Sequence, residues 1–156
     1  MFQYRVVKHS PEQRAGTMPS WIGYSDIGES FGGEVLTRSE YEETERRYLE
    51  AARRFAATQG VTTLRVDGLE IYSESPWWQR IDEGDRLSFE QALELARSIL
   101  RGESVWCRLV NDGKFFVHFG YDYYMYIGIA NPSDDAVLSV RKSGLFVDDF
   151  ESPYLT

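Results

Sequence analysis

Two histidines and one cysteine, with a scatter of carboxylates, are the side chains here that could transfer protons, attack a substrate or ligate a metal. His118 stands out among them. If one strand ran unbroken from Phe115, then His118, Asp122, Tyr124 and Tyr126 would share a face. A histidine beside a carboxylate or phenol is the pairing a general base needs. That placement supports one functional reading, a small hydrolase or transferase working through His118 with Asp122 or Tyr124. A turn at Gly120 would dissolve the shared face. His9, near a strand end and beside a polar loop, reads as solvated. Cys107 sits in the apolar run Val105–Val110 and reads as a buried, inert thiol.

Zinc wants three or four converging ligands, which two distant histidines and one cysteine do not supply. Asp134-Asp135 and Asp148-Asp149 are carboxylate pairs outside any calcium-loop spacing. Gly28, Gly32 and Gly33 match neither the dinucleotide fingerprint nor the phosphate loop, and no Gly-x-Ser-x-Gly elbow occurs. No metal and no cofactor is expected.

The aromatic residues offer a different kind of chemistry. Four tyrosines fall within Tyr121–Tyr126, and Trp77-Trp78 adds a pair. Tyrosine and tryptophan supply large contact areas at low entropic cost and are enriched at binding hot spots. The same residues also fill sheet faces covered by helices, so the run 120–128 is open to both readings, core and interface. On strand alternation, Tyr121 and Tyr123 face inward while Asp122, Tyr124 and Tyr126 face out.

Charge sharpens the choice. The 156 residues carry 17 basic and 25 acidic side chains, a net charge of −8. Residues 1–59 are near balance at −1, and residues 60–156 hold the remaining −7. Such a chain is repelled by phosphate surfaces, which argues against nucleic-acid and anionic-membrane partners. An acidic surface carrying Tyr and Trp suits a basic protein, with charge accelerating encounter and rings slowing dissociation. The candidate partner-binding residues are Trp77, Trp78, Asp122, Tyr124 and Tyr126, with Asp148, Asp149 and Glu151 as steering charges.

These residues need a scaffold, and its elements are readable. Phe2–Val7 alternates as a strand. Residues 10–33 form a long Gly-, Ser- and Pro-rich loop with a short strand at Trp21–Tyr24. Thr37-Arg38-Ser39-Glu40 has capping-box spacing and opens a helix ending near Gly60, with Tyr41, Tyr48, Ala52 and Phe55 on its buried stripe. Val61–Tyr72 reads as a strand interrupted near Asp67-Gly68. Pro76 suits the start of a short helix through Trp77-Trp78, and residues 80–86 read as a loop. Ser88 and Gln91 cap a second helix that Gly102 ends. Val105–Val110 and Lys114–Phe119 flank Asn111-Asp112-Gly113 as a hairpin, and Tyr123–Ile129 follows as a strand. Ala136–Val140 and Leu145–Val147 read as a second hairpin around residues 141–144. The tail Asp148–Thr156 is assigned to the surface. The fold expected is α+β, one domain over residues 1–156, with two main helices on one face of a mostly antiparallel sheet.

Residues 1–10 lack a signal peptide's apolar core, and no run approaches the roughly 20 apolar residues of a membrane span, so a cytoplasmic location is expected.

Two stretches resemble a known class. Ser20–Gly28 with Phe31–Gly33 and Leu36–Tyr41 form one, and Val105–Gly128 forms the other. Together they resemble small acidic bacterial immunity proteins, which neutralise a toxin delivered by a neighbouring cell. The resemblance implies a non-enzymatic, stoichiometric inhibitor of a cognate toxin domain, often a basic nuclease. It carries over no inhibitory residue. A structural or regulatory subunit with no toxin link is the remaining alternative.

Overall fold

The computed structural model describes residues 1–9, 23–31, 33–120 and 124–154. Its centre is a seven-stranded sheet in the order β5-β4-β6-β7-β8-β1-β9. The strands are β1 (Phe2–Val7), β4 (Thr63–Ile71), β5 (Arg86–Ser88), β6 (Val105–Asn111), β7 (Phe115–Phe119), β8 (Met125–Ile129) and β9 (Phe146–Asp149), and every pairing is antiparallel. A two-stranded ribbon pairs β2 (Ser30–Phe31) with β3 (Glu34–Val35). Three helices, α1 (Arg38–Thr58), α2 (Phe89–Leu100) and α3 (Asp134–Lys142), complete an α+β fold.

Local chemistry starts each helix. The Thr37 hydroxyl accepts from the Glu40 amide at 3.1 Å while the Glu40 carboxylate accepts from Thr37 N–H. Ser88 and Gln91 exchange the same two bonds at α2. Such caps satisfy donors that the helix itself cannot, each worth about 1 kcal/mol. Both helices were legible from these residues.

Alternation places one side of the sheet against the helices. Tyr4, Val6, Leu64, Val66, Cys107, Leu109, Val117, Ile127 and Val147 join Tyr48, Phe55, Leu95 and Val140 in one continuous core. Glu45 is the charge buried beside it, 4% exposed, and its carboxylate is held by Arg97 and Arg101 at 3.1 and 2.8 Å. A buried carboxylate is tolerated only with such partners.

Four expectations change. Residues 134–142 are helix, not the first arm of a hairpin. Ser133 caps the Ala136 amide at 3.2 Å, Asp134 and Asp135 occupy the first turn, and Arg141 and Lys142 the last, an arrangement that suits the helix dipole and outweighs the strand-like Ala136–Val140 pattern. The segment after Pro76 makes successive turns rather than a helix, because Gln79 lies at φ 64°, outside the helical region. Arg86–Ser88, expected as loop and helix start, adds an edge strand before α2. His9, expected in solvent, is buried. The proposed strand at Trp21–Tyr24 falls largely outside the described residues; Tyr24 itself begins a short 3-10 turn.

The expected interruption in β4 is present. The β4–β6 register shifts between Asp67 and Glu70, and Gly68 takes φ 66°. The Glu83 carboxylate accepts from the freed amides of Gly68 and Leu69 at 2.9 and 2.7 Å.

Gly128 in β8 has a different reason to be glycine. A Cβ there would collide with the Phe116 ring, which covers it from the neighbouring strand. Gly128→Ala is expected to lose about 1–3 kcal/mol through overpacking. Chemical denaturation checks this, with Phe116→Leu expected to recover part of the loss.

Candidate functional site

The second side of the sheet carries Arg5, Asp67, Trp106, Arg108, His118, Tyr126 and Asp148, with the Phe116 ring among them. Among the described residues no helix covers them. The chain after β9 does instead, turning over the sheet as a strap of residues 150–154. Its fastenings are specific. Phe150 N–H donates to the Gln3 carbonyl at 3.1 Å, and Ser152 N–H to Gln3 Oε1 at 2.9 Å. Ser152 Oγ lies 3.1 Å from His118 Nδ1 and also accepts from Tyr154 N–H. Arg108 donates to the Tyr154 carbonyl at 2.9 Å while its Nε stands 2.8 Å from Asp67. The rings of Tyr126 and Trp106 pack on Tyr154 at 5.8 and 5.9 Å, and Phe150 packs on Tyr126 at 6.0 Å. The tail, expected at the surface, is exposed at Asp149, Phe150, Glu151 and Pro153 but buries Ser152.

His118 lies beneath this strap, 1% exposed and stacked on Phe116 at 4.4 Å. Burial, aided by the Arg108 charge and opposed by Asp67, lowers its pKa to about 4. A base that weak is far from the pKa near working pH that general-base catalysis favours. Gly120 does turn the chain, its amide meeting the Tyr124 carbonyl at 2.8 Å, so no single strand runs from Phe115 to Tyr126. His118 and Tyr126 become cross-strand neighbours instead. Cys107 is fully buried, and desolvation pushes its thiol up to about 12.

The partner-binding candidates separate into groups. Trp77 and Trp78 stand in the loop between β4 and β5, at one edge of the sheet. Trp77 is half-buried, its indole N–H donating to Ser98 Oγ at 2.9 Å under the Arg80 guanidinium, whereas Trp78 is exposed. Asp148 and Asp149 lie on β9, at the opposite edge, with Glu151 just beyond it. Six inter-strand steps of roughly 4.8 Å put about 29 Å between these edges. Arg5 gathers the second group: it is 3.5 Å from Asp148, with its guanidinium over Phe150 at 4.1 Å and over Tyr124 at 5.3 Å. Tyr126, 3% exposed, sits under the strap and leaves the candidate surface. Asp122 lies outside the described residues, as do Tyr121 and Tyr123.

What sequence reasoning missed is the groove beside this group. Met1, Phe2, Gln3, Asp149, Phe150 and Glu151 line a shallow depression of about 430 Å³. Met1, Phe2 and Phe150 are 54%, 47% and 40% exposed. Large apolar side chains left in solvent at one place, rimmed by charge, mark interaction sites. Strand alternation alone could have flagged Phe2, whose neighbours on its own face are core residues.

No family model matches the sequence, and neither a curated protein nor a solved structure matches it. The site must speak for itself. Among the described residues, no group of three or more His, Cys, Asp or Glu could hold a metal ion, and no helix is long and apolar enough to cross a membrane.

The strap has a pH signature. In the unfolded chain His118 returns to its ordinary value of about 6.5, so between that value and about 4 the unfolded state takes up a proton that the folded state refuses. Stability from this group is therefore full above about pH 6.5 and falls by about 3 kcal/mol on acidification to about pH 4. Denaturation midpoints measured across that range should show His118→Gln with a shallower acid limb than the wild type.

Proposed function

We propose that this chain is a non-enzymatic protein-binding domain that captures a basic protein, and that it serves as an immunity protein neutralising a bacterial toxin domain. The observation that carries the binding reading is the groove at the β1–β9 edge, where exposed Met1, Phe2 and Phe150 are interleaved with Asp149 and Glu151. Apolar side chains there gain when a partner removes them from water, about 25 cal/mol per Å² of apolar surface before the costs of association. The carboxylates add direction. A partner with lysines and arginines is attracted along the field of a chain at −8, and an acidic or nucleic-acid partner is turned away.

The immunity role rests on the resemblance of Ser20–Gly28, Phe31–Gly33, Leu36–Tyr41 and Val105–Gly128 to small acidic immunity proteins, and the groove and charge agree with it. Inhibition by occupation needs no reacting group, only a surface that matches the toxin and stays in place. The strap supplies that rigidity, since Asp148 and Phe150 are both held by Arg5. The binding residues are Phe2, Phe150, Asp148, Asp149 and Glu151, with Tyr124 beside them; Trp78 would mark a second contact at the far edge.

Affinity capture with the full chain in its native cell, followed by mass spectrometry, identifies the partner, and purified partner then permits binding kinetics. Asp149→Arg with Glu151→Arg is expected to weaken binding tenfold or more, chiefly by slowing association, and to flatten its dependence on salt. Unchanged kinetics would remove the groove from the interface. Expression of the captured protein alone should arrest growth and co-expression of this chain should restore it; a harmless partner would overturn the immunity role while leaving protein binding intact.

A further inference from the structure

Helix α3 buries one face and leaves the other in solvent. Ala136, Val137 and Val140 belong to the core, and Arg54 of α1 fastens the helix through the Ser139 hydroxyl. The outward residues are Asp134, Asp135, Leu138, Arg141 and Lys142, all exposed. With 3.6 residues to the turn, these five fall within about 60° of Leu138 on either side and so form a single stripe. Leu138 stands at its centre, 51% exposed.

The charges of this stripe differ from those of the longer helices. On α1 and α2 the exposed charges pair within the chain: Glu43 with Arg46 and Arg47, Glu50 with Arg54, Arg53 with Glu90, and Glu94 with Arg97. On α3 none of Asp134, Asp135, Arg141 and Lys142 forms an ion pair among the described residues. Arg141 donates to the Val147 carbonyl at 2.8 Å and meets no carboxylate there. Pairing within the helix is out of reach. Asp134 and Lys142 lie about 12 Å apart along the axis, and Leu138 fills the i,i+4 position from each. The helix dipole accounts for which end carries which sign, but not for a leucine left in water between them.

A second α3 laid antiparallel on the first answers both features. The exposed positions are spaced evenly about residue 138, so a two-fold axis there sets Leu138 on its own mate. The same axis brings Asp134 opposite Lys142 and Asp135 opposite Arg141. We propose that this face joins two copies of the chain in a symmetric dimer. Each copy offers the surface that the other needs, so the contact closes at two. It is also weak. A helix of 9 residues is about 13 Å long, and a contact that short falls below the roughly 1,200 Å² of a stable interface. Two chains at −8 also repel at a distance. A dissociation constant of about 0.1–1 mM is expected.

Sedimentation equilibrium of the full chain, from about 10 μM to about 2 mM, reads the association directly. The mean mass is expected to rise from one chain toward two across that range. Leu138→Gln should remove most of the rise without moving the thermal midpoint, since the side chain it replaces is exposed. Charge reversal tests the pairing itself. Asp134→Lys alone sets a lysine against Lys142 of the second copy, and Lys142→Asp alone sets an aspartate against Asp134; each variant should stay at the mass of one chain. An equimolar mixture of the two should regain the wild-type rise as a mixed dimer, because opposite charges then meet at both ends. A damaged fold could not be rescued in that way. A mass of one chain for the wild type throughout, a rise indifferent to Leu138→Gln, or a mixture no heavier than its separate components would overturn the proposal. None of these readouts involves the partner of the β1–β9 groove, so their failure leaves that reading standing.

Discussion

A seven-stranded sheet has two faces to keep from water, and in this fold the helices attend to one of them. Among the described residues the other is covered in part by residues 150–154, whose place depends on the polar groups they meet beneath. Gln3 serves both Phe150 and Ser152, Ser152 serves His118 and Tyr154, and Arg108 spans from Asp67 to the Tyr154 carbonyl. These bonds are individually modest, but each removed partner leaves a desolvated group behind, so they stand or fall together. The position of Phe150, and with it the candidate surface, depends on that arrangement.

The same arrangement sets the state of the most chemically suggestive residue, His118. An imidazole sealed beneath a strap and next to an arginine is held neutral, and it acts as a fixed hydrogen-bonding post for Ser152. Meanwhile the residues turned outward, Phe2, Phe150, Asp149 and Glu151, carry apolar area and charge. Those are the materials that the proposed recognition surface would use.

Legibility in the sequence followed the range of the forces concerned. The capping residues Thr37, Glu40, Ser88 and Gln91 act within four residues, and the α1 and α2 starts were evident from them. Asn111-Asp112-Gly113 announced the β6–β7 hairpin for the same reason. In α3 two local signals conflicted: apolar alternation in Ala136–Val140 suggested a strand, while Ser133 and the ordered charges, which prevail, favoured a helix. The strap was illegible because Phe150–Tyr154 has no periodicity, and its partners Gln3, Arg5, Arg108 and His118 lie far back in the chain. The candidate surface was half legible for that reason. Its charges could be read directly, whereas the burial of Tyr126 and the distance between Trp78 and Asp148 follow from strand order, which no local pattern encodes.

The place of β1 between β8 and β9 bears on how the molecule is made. Phe2 pairs with Ile129 and Tyr4 with Asp149, so β1 has no strand neighbour until β8 and β9, which lie far later in the sequence, are in place. Contacts of such long sequence separation slow folding. Until those pairings form, Phe2, Tyr4 and Val6 have no sheet to join, and an unpaired apolar strand of this kind is open to the wrong neighbour.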